Sequence, residues 1–289
     1  MINQKITLGK CLLNIFVGLI ILYGAEILGF MISAGLEEII PVKSLVIILN
    51  CLFYIAITIS CFYFYTKKVS LSDWGLKQQK PATQWFLLAI FFPILCSMII
   101  CLFLNGKGNW EITWQNEQQF LNRLLIILID FGIAAGVVEE LIFRGLIMKS
   151  IEWKFNKKMA IGISSILFTL LHIPGFSEGW FVFLLGFLYT LSVSLFLSLL
   201  VYRSGGLIMS MLCHAMINIV NFSFYYGETE RTRALFTFIP IENNEHLVLI
   251  VSHIVIITLC ILASIFVIAL KKENTQNREQ WKTNIIKKN

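Results

Sequence analysis

Long apolar runs separated by short polar stretches dominate this chain, and most of them are long enough to cross a bilayer as a helix. Such a helix needs about 20 predominantly apolar residues for about 30 Å of hydrocarbon. Eight runs follow this pattern, and they cover residues 11–33, 44–65, 85–104, 120–148, 159–173, 180–202, 207–222 and 247–270. The pattern predicts an all-α, polytopic membrane protein with about eight transmembrane helices.

The composition supports this class and excludes several others. Of the 289 residues, 57% are hydrophobic and 14% are charged, whereas about 25% of the residues in soluble domains are charged. The seven cysteines form no CxxC pair, so neither a disulfide framework nor a zinc knuckle is indicated. The net charge of +6 comes from basic residues spread over loops and the tail, so no nucleic-acid partner is expected.

The distribution of Lys and Arg predicts the orientation of the chain. Seventeen of the 23 basic residues fall on one side of the eight runs, four fall on the other side, and Arg123 and Arg144 lie within a run. Because cytoplasmic loops carry the excess of Lys and Arg, both termini are predicted to be cytoplasmic. No repeat is found, so we expect one domain over 1–289, with its motif core at 120–222 and a basic cytoplasmic tail at 271–289.

Ionisable residues inside the fourth run need a reason, because each costs several kcal/mol in hydrocarbon. Glu139 and Glu140 are adjacent there, and Arg144 follows four residues after Glu140. The spacing of Glu140 and Arg144 places them on one helix face, where they can form an ion pair. Glu139 points about 100° away and has no local partner.

Three further polar residues lie at a similar predicted depth. His172 ends the fifth run just before the Pro-Gly pair at 174–175, and the seventh run carries His214 and Asn218 on one face. At about 1.5 Å per helical residue, Glu139, His172, His214 and Asn218 lie about 15–23 Å from the nearest cytoplasmic charge. We therefore expect the four side chains to meet in one site.

This set of side chains matches the needs of peptide-bond hydrolysis by water. A carboxylate and a neutral imidazole can deprotonate a shared water molecule. A second histidine and an asparagine can donate hydrogen bonds to the developing oxyanion. Cys213 adjoins His214 but points about 100° away from it, so it is interpreted as a packing residue. Asp130, nine residues before Glu139, is expected on the opposite helix face, bonded to a neighbouring helix, and His253 is expected to form a hydrogen bond with a neighbouring helix.

The same residues carry a resemblance to a known family. EELIFRG at 139–145, FTLLH at 168–172 and HAMIN at 214–218 resemble the three motifs of the CAAX protease and bacteriocin-processing family, also called CPBP or Abi. This family of intramembrane proteases includes the Ras-converting CAAX endopeptidases. The resemblance implies that Glu139 and His172 activate water and that His214 and Asn218 stabilise the oxyanion. It also implies supporting roles for Glu140 and Arg144.

The cofactor, partners and location follow less directly. A metal-free reaction is favoured because HExxH is absent; a zinc ion, if present, would be bound by Glu139, His172 and His214. The expected partners are membrane lipid and a peptide or membrane-anchored protein substrate, in a bacterial plasma membrane. The expected role is peptide or bacteriocin maturation, or self-immunity. Two alternatives stay open: a non-catalytic bacteriocin-immunity protein, and a transporter that uses intramembrane Glu and His.

Overall fold

The computed structural model describes residues 6–40, 42–67, 74–75, 83–172, 179–225, 234–241 and 245–270. The Pro-Gly pair at 174–175 and the basic tail at 271–289 lie outside these residues. So do several of the basic loop residues on which the predicted orientation depends, including Lys68, Lys77, Lys80, Arg231 and Arg233. The cytoplasmic location of both termini and the division into one domain stay predictions.

Helical segments occupy the described chain at each of the eight apolar runs. They are α1 (Leu8–Ile39), α2 (Lys43–Thr66), α3 (Thr83–Leu104), α4 (a continuous helix over 117–154), α5 (Lys157–Leu171), α6 (Trp180–Ser204), α7 (Ile208–Ser223) and α8 (Glu245–Ala269). Five of them, α1, α2, α3, α6 and α8, are long and apolar enough to cross a membrane. A helical, multi-pass membrane protein is therefore confirmed, whereas a total of eight crossings stays a prediction.

Helix α4 departs from regular α geometry at two places. It consists of Glu117–Leu125, a π-helical stretch Ile126–Ala134, Ala135–Glu140, a second π-helical stretch Leu141–Ile147, and Met148–Lys154. A π-helix closes its hydrogen bonds from i to i+5, so the turn is wider and side chains rotate differently along the axis. The expectation that Asp130 lies opposite Glu139 assumed a uniform α-helix, and the structure does not meet that assumption.

Local signals in the sequence set several helix ends. The side chains of Asn116 and Asn156 accept hydrogen bonds from the backbone of Gln119 (2.9 Å) and Met159 (3.0 Å), which caps the N-termini of α4 and α5. Helix α6 ends at Gly205, whose φ of +84° is in the left-handed region that glycine adopts without strain. These caps fix where α4, α5 and α6 begin and end, and thus how they are placed around the polar site.

The otherwise all-α fold also contains a small three-stranded sheet, which was not predicted. Strands β1 (Gly108–Ile112), β2 (Phe224–Tyr225) and β3 (Phe236–Pro240) form it in the order β1-β3-β2. Strand β1 is antiparallel to β3, with Gly108 opposite Pro240, and β2 is parallel to β3. The strands lie in the loops after α3 and α7. These segments are outside the long apolar runs from which the helices were predicted.

Two large apolar clusters form most of the core, and a smaller third cluster joins α3, β3 and α8 around Ile100 and Phe238. One large cluster joins α1, α2, α4 and α5 around residues such as Phe62, Phe143 and Ile147, and the other joins α3, α6, α7 and α8 around Phe92 and Phe196. The polar residues predicted to meet belong to α4 and α5 on one side and α7 on the other. The polar site therefore lies where the two large clusters adjoin.

Candidate active site

Side chains from three helices converge on one carboxylate oxygen. Oε2 of Glu139 in α4 lies 3.2 Å from Nε2 of His172, the residue that follows α5. The same oxygen lies 3.8 Å from Nε2 of His214 in α7. The structure therefore brings together three of the four residues that the sequence places at one depth. His172 is 35% exposed and His214 only 6%, so the site opens on the His172 side.

The Oε2 atom of Glu139 has hydrogen-bonding capacity left over. It is buried, and although Nε2 of His172 lies 3.2 Å away, no described residue donates to it a hydrogen bond of good geometry. A buried acceptor without a partner costs about 1–3 kcal/mol. A proton or a water molecule held between this oxygen and the two imidazoles would remove that cost.

Glu140, the adjacent residue, has no such capacity. It is fully buried, and its Oε1 accepts from Nη1 of Arg144 at 2.7 Å and from Nδ1 of His214 at 2.9 Å. Its Oε2 accepts a hydrogen bond from the hydroxyl of Ser210. The ion pair expected between Glu140 and Arg144 is thus present. With both oxygens occupied, Glu140 orients neighbouring groups rather than facing the open side.

The hydrogen bonds at Nδ1 determine what each imidazole can do at Nε2. Nδ1 of His172 lies 2.8 Å from the carbonyl oxygen of Phe168, which can only accept, so Nδ1 carries the hydrogen. A neutral His172 then has its lone pair on Nε2, facing Glu139. Nδ1 of His214 likewise donates to the Glu140 carboxylate. Nε2 of His214 therefore donates a hydrogen bond only when the ring is a positively charged imidazolium.

Phe168 connects the ion pair to both histidines. Its ring stacks on the His172 imidazole with centroids 4.1 Å apart and planes 16° apart, and it meets the His214 ring edge-on at 5.8 Å. On the Phe168 ring lies the Arg144 guanidinium, 4.5 Å from the centroid. Nη2 of Arg144 donates to the hydroxyl (2.8 Å) and carbonyl (3.2 Å) of Ser194 in α6. One aromatic ring thus holds the cation and the exposed imidazole in a fixed stack.

Asn218 lies one turn after His214, but its described hydrogen bond goes elsewhere. Its amide nitrogen donates to the carbonyl oxygen of Phe131 at 2.8 Å. Phe131 belongs to the first π-helical stretch of α4. An amide nitrogen has two hydrogens, so the second stays available to a substrate. Of the four predicted residues, Asn218 is the one that the structure does not bring into contact with Glu139.

Close contact between α4 and α7 places His214 beside the two glutamates. A Cβ atom added at Gly136 would lie 2.9 Å from the carbonyl oxygen of Met211 and 3.0 Å from the backbone nitrogen of Ala215, the residue after His214. At Gly132, an added Cβ would lie 2.7 Å from the Ile219 side chain. Glycines four residues apart form a GxxxG pattern, which allows such close approach between membrane helices.

Replacing Gly136 by Ala should lower both stability and activity. Overpacking against backbone atoms costs about 1–3 kcal/mol, which exceeds the gain in helix propensity of at most about 1 kcal/mol. Gly162→Ala in α5 is the matched control, because an added Cβ there meets nothing within 4 Å. It should stabilise the protein slightly. Unfolding in detergent, followed by circular dichroism, measures the stability of both variants. A stabilised Gly136→Ala variant would contradict the close contact between α4 and α7.

The sequence pointed to only part of this site. Ser194, Ser210, Phe131 and Phe168 also position the polar groups. Ser210 lies four residues before His214 on the same helix face, and Phe168 lies in a quoted motif, so each carried a signal. Ser194 and the Phe131 carbonyl carried none. His253 packs its ring on Tyr189 of α6 at 5.0 Å, but its hydrogen bond goes to Leu249 in its own helix and not to a neighbouring helix as predicted.

A metal site is a separate matter. A zinc ion would use carboxylate and imidazole donors such as Glu139, His172 and His214. Within the ranges that the structure describes, no group of three His, Cys, Asp or Glu side chains is arranged to hold a metal ion.

Comparison with known proteins places the site inside a recognised family region. Residues 121–220 match the family model described as type II CAAX prenyl endopeptidase Rce1-like. These residues include Glu139, Glu140, Arg144, His172, His214 and Asn218. The chain is also similar to the UPF0177 protein YxdF of Lactococcus lactis. The two are 30% identical over 156 residues, which cover 53% of this chain and 80% of that protein.

Proposed function

Since the chain belongs to the Rce1-like family of CAAX proteases, we propose that it hydrolyses peptide bonds inside the membrane with an activated water molecule. One observation supports this most: an unsatisfied carboxylate oxygen of Glu139 faces Nε2 of both His172 and His214. The same group arrangement has the parts that water activation requires.

The first step is attack by water. Glu139 and the Nε2 lone pair of His172 bind the water molecule and take one of its protons as its oxygen attacks the carbonyl carbon of the substrate. The carbonyl π bond becomes an oxyanion, which accepts a hydrogen bond from Nε2–H of the His214 imidazolium. Asn218 lies on the same helix face as His214, and the second hydrogen of its amide is a second donor to the oxyanion.

The second step is collapse of the tetrahedral intermediate. The oxyanion re-forms the carbonyl, the carbon–nitrogen bond breaks, and the proton taken from water passes to the leaving nitrogen. The products are a carboxylic acid and an amine, and the catalytic groups return to their starting state.

The substrate we propose is a peptide or a membrane-anchored protein that reaches the site from the bilayer. The role we propose is maturation of a peptide or bacteriocin, or self-immunity, in a bacterial plasma membrane. Similarity to a Lactococcus lactis protein supports the bacterial location. The intact set of Glu139, His172, His214 and Asn218 supports catalysis over a purely binding form of immunity.

A peptide-cleavage assay with two matched histidine variants tests the proposal. Purified protein in detergent, mixed with a panel of synthetic peptides, should release fragments that mass spectrometry identifies. His172→Gln should lower the rate by about 10²-fold, at the low end for loss of an acid–base group, because Glu139 still binds the water. His253→Gln, at a half-buried histidine in α8 outside the site, should cleave at the unaltered rate.

Three outcomes would count against the proposed mechanism. Absence of cleavage by the unaltered protein would favour a non-catalytic role, and equal rates for His172→Gln and the unaltered protein would remove His172 from the reaction. Loss of activity with a chelator, restored by zinc and accompanied by zinc in elemental analysis, would replace metal-free water activation with metal-bound water.

A further inference from the structure

The structure contains a large apolar cavity that the proposed reaction does not use. Its volume is about 520 Å³, within the range of about 300–1,000 Å³ typical of small-ligand sites. It lies between α3, the end of α7 and the sheet, and its lining includes Met98, Cys101, Trp110, Val220 and Phe238. A space of this size between closely packed helices calls for an occupant.

The cavity and the candidate active site lie on different sides of α7. Val220, which lines the cavity, follows His214 by six residues. At about 100° and 1.5 Å per residue, Val220 points about 120° away from His214 and lies about 9 Å farther along the helix. A substrate bound at Glu139 therefore does not extend directly into this cavity.

The cavity is open toward the surface that faces lipid. Two of its lining residues on α3 are largely exposed, Met98 at 58% and Leu102 at 72%. The Trp110 side chain lies at the edge, on strand β1, and is also exposed. Tryptophans of membrane proteins are enriched at the level of the lipid headgroups. The geometry thus combines an apolar interior, an opening toward hydrocarbon and an interfacial aromatic residue at one end.

A cation lies beside the cavity at that end. A smaller cavity of about 210 Å³ is lined by Lys107 and shares Leu104 and Gly106 with the large one. The chain turns between them at Gly106, with φ of +74°. The Lys107 side chain is exposed, so its ammonium group can approach an anion at the membrane surface. A phosphate held there and an acyl chain held in the large cavity would be parts of one molecule.

We propose that the large cavity binds an acyl chain of an anionic glycerophospholipid whose phosphate contacts Lys107. The apolar lining selects hydrocarbon, and the adjoining lysine adds a preference for negative charge. The site contacts α3, α7 and the sheet at once. A bound lipid would therefore connect these three elements on the far side of α7 from Glu139.

Retention of lipid during purification tests the site without any need for enzymatic activity. Protein reconstituted with an equal mixture of phosphatidylglycerol and phosphatidylcholine is washed in detergent, and retained lipid is counted by native mass spectrometry. The unaltered protein should retain one phosphatidylglycerol, favoured about fivefold over phosphatidylcholine, the factor that one lysine near an anionic surface contributes. Lys107→Gln should remove the preference between headgroups.

Two cysteine variants separate this cavity from the general lipid surface. Cys101→Phe places a ring in the cavity and should lower lipid retention at least fivefold, whereas Cys61→Phe on the exposed face of α2 should not change it. Equal retention by all three proteins, equal loss in both variants, or no retention by the unaltered protein would overturn the proposal. Because these experiments measure bound lipid and not peptide cleavage, their results stand even if the protein cleaves no peptide.

Fluorescence of the folded, unsubstituted protein provides a second test. The difference between the unaltered protein and Trp110→Phe gives the Trp110 signal. Phosphatidylglycerol with brominated acyl chains should quench that signal more strongly than brominated phosphatidylcholine at the same mole fraction, and Lys107→Gln should make the two equal. Equal quenching by the two lipids in the unaltered protein would overturn the proposed headgroup contact.

Discussion

Replacing Glu139 by Gln should lower the rate of peptide cleavage by about 10³–10⁴-fold, the upper range for loss of a general base. The reason is that Glu139 is the only carboxylate of the site whose oxygen is uncommitted within the described residues. Glutamine keeps the size of the side chain but cannot take a proton from water. His172 alone would then activate the water, without the negative charge that stabilises its protonated form.

The same substitution should leave the fold almost unchanged, because Oε2 of Glu139 has no hydrogen bond to lose. Two further variants of acidic residues on the same helix serve as comparisons for Glu139→Gln. Glu152→Gln, near the C-terminal end of α4 where the carboxylate contacts Lys149 and Tyr202, should cleave at the unaltered rate. Glu140→Gln should instead lower the unfolding temperature, since Arg144 loses its partner. Cleavage by Glu139→Gln at more than a tenth of the unaltered rate would contradict its role as base.

The sequence supported the prediction of this site because polar residues in membrane helices are rare and costly. Glu139, Glu140, Arg144, His172 and His214 interrupt runs that are otherwise apolar, so each signalled a shared interior. Their depths followed from helix rise alone. The ion pair of Glu140 and Arg144 followed from the i to i+4 spacing, which survives in the structure although a π-helical stretch begins between them.

Other features depend on contacts between distant segments, and the sequence does not show these. The hydrogen bond from Asn218 to Phe131 exists because a π-helical stretch of α4 presents that carbonyl to α7. Nothing in the local composition distinguishes a π-helical stretch from an α-helical one. The sheet pairs residues 108–112 with 236–240, a separation over which short polar loops give no periodic signal. The GxxxG pattern at 132–136 was visible, but its partner helix was not.

Replacing Arg144 by Met should destabilise the protein by about 3–5 kcal/mol, the cost of removing one partner of a buried ion pair. Both members of this pair are 0% exposed, and Arg144 also donates two hydrogen bonds to Ser194. The substitution would leave the Glu140 carboxylate without its cation. A free energy of unfolding measured by reversible titration with a denaturing detergent gives the value. Arg203→Met should cost less, because this half-buried arginine donates to the carbonyl oxygens of Ile268 and Leu270 at the end of α8, where water can replace it.

The double variant Glu140→Gln with Arg144→Met separates loss of the pair from loss of shape. Arg144→Met leaves the Glu140 carboxylate buried without a cation. If that charge causes the instability, replacing Glu140 by Gln as well should recover part of the stability. His214 would then lose the carboxylate that orients its ring through Nδ1. We therefore expect a double variant that is more stable than Arg144→Met yet cleaves no faster. A double variant as unstable as the sum of the single variants would show that Glu140 and Arg144 act independently.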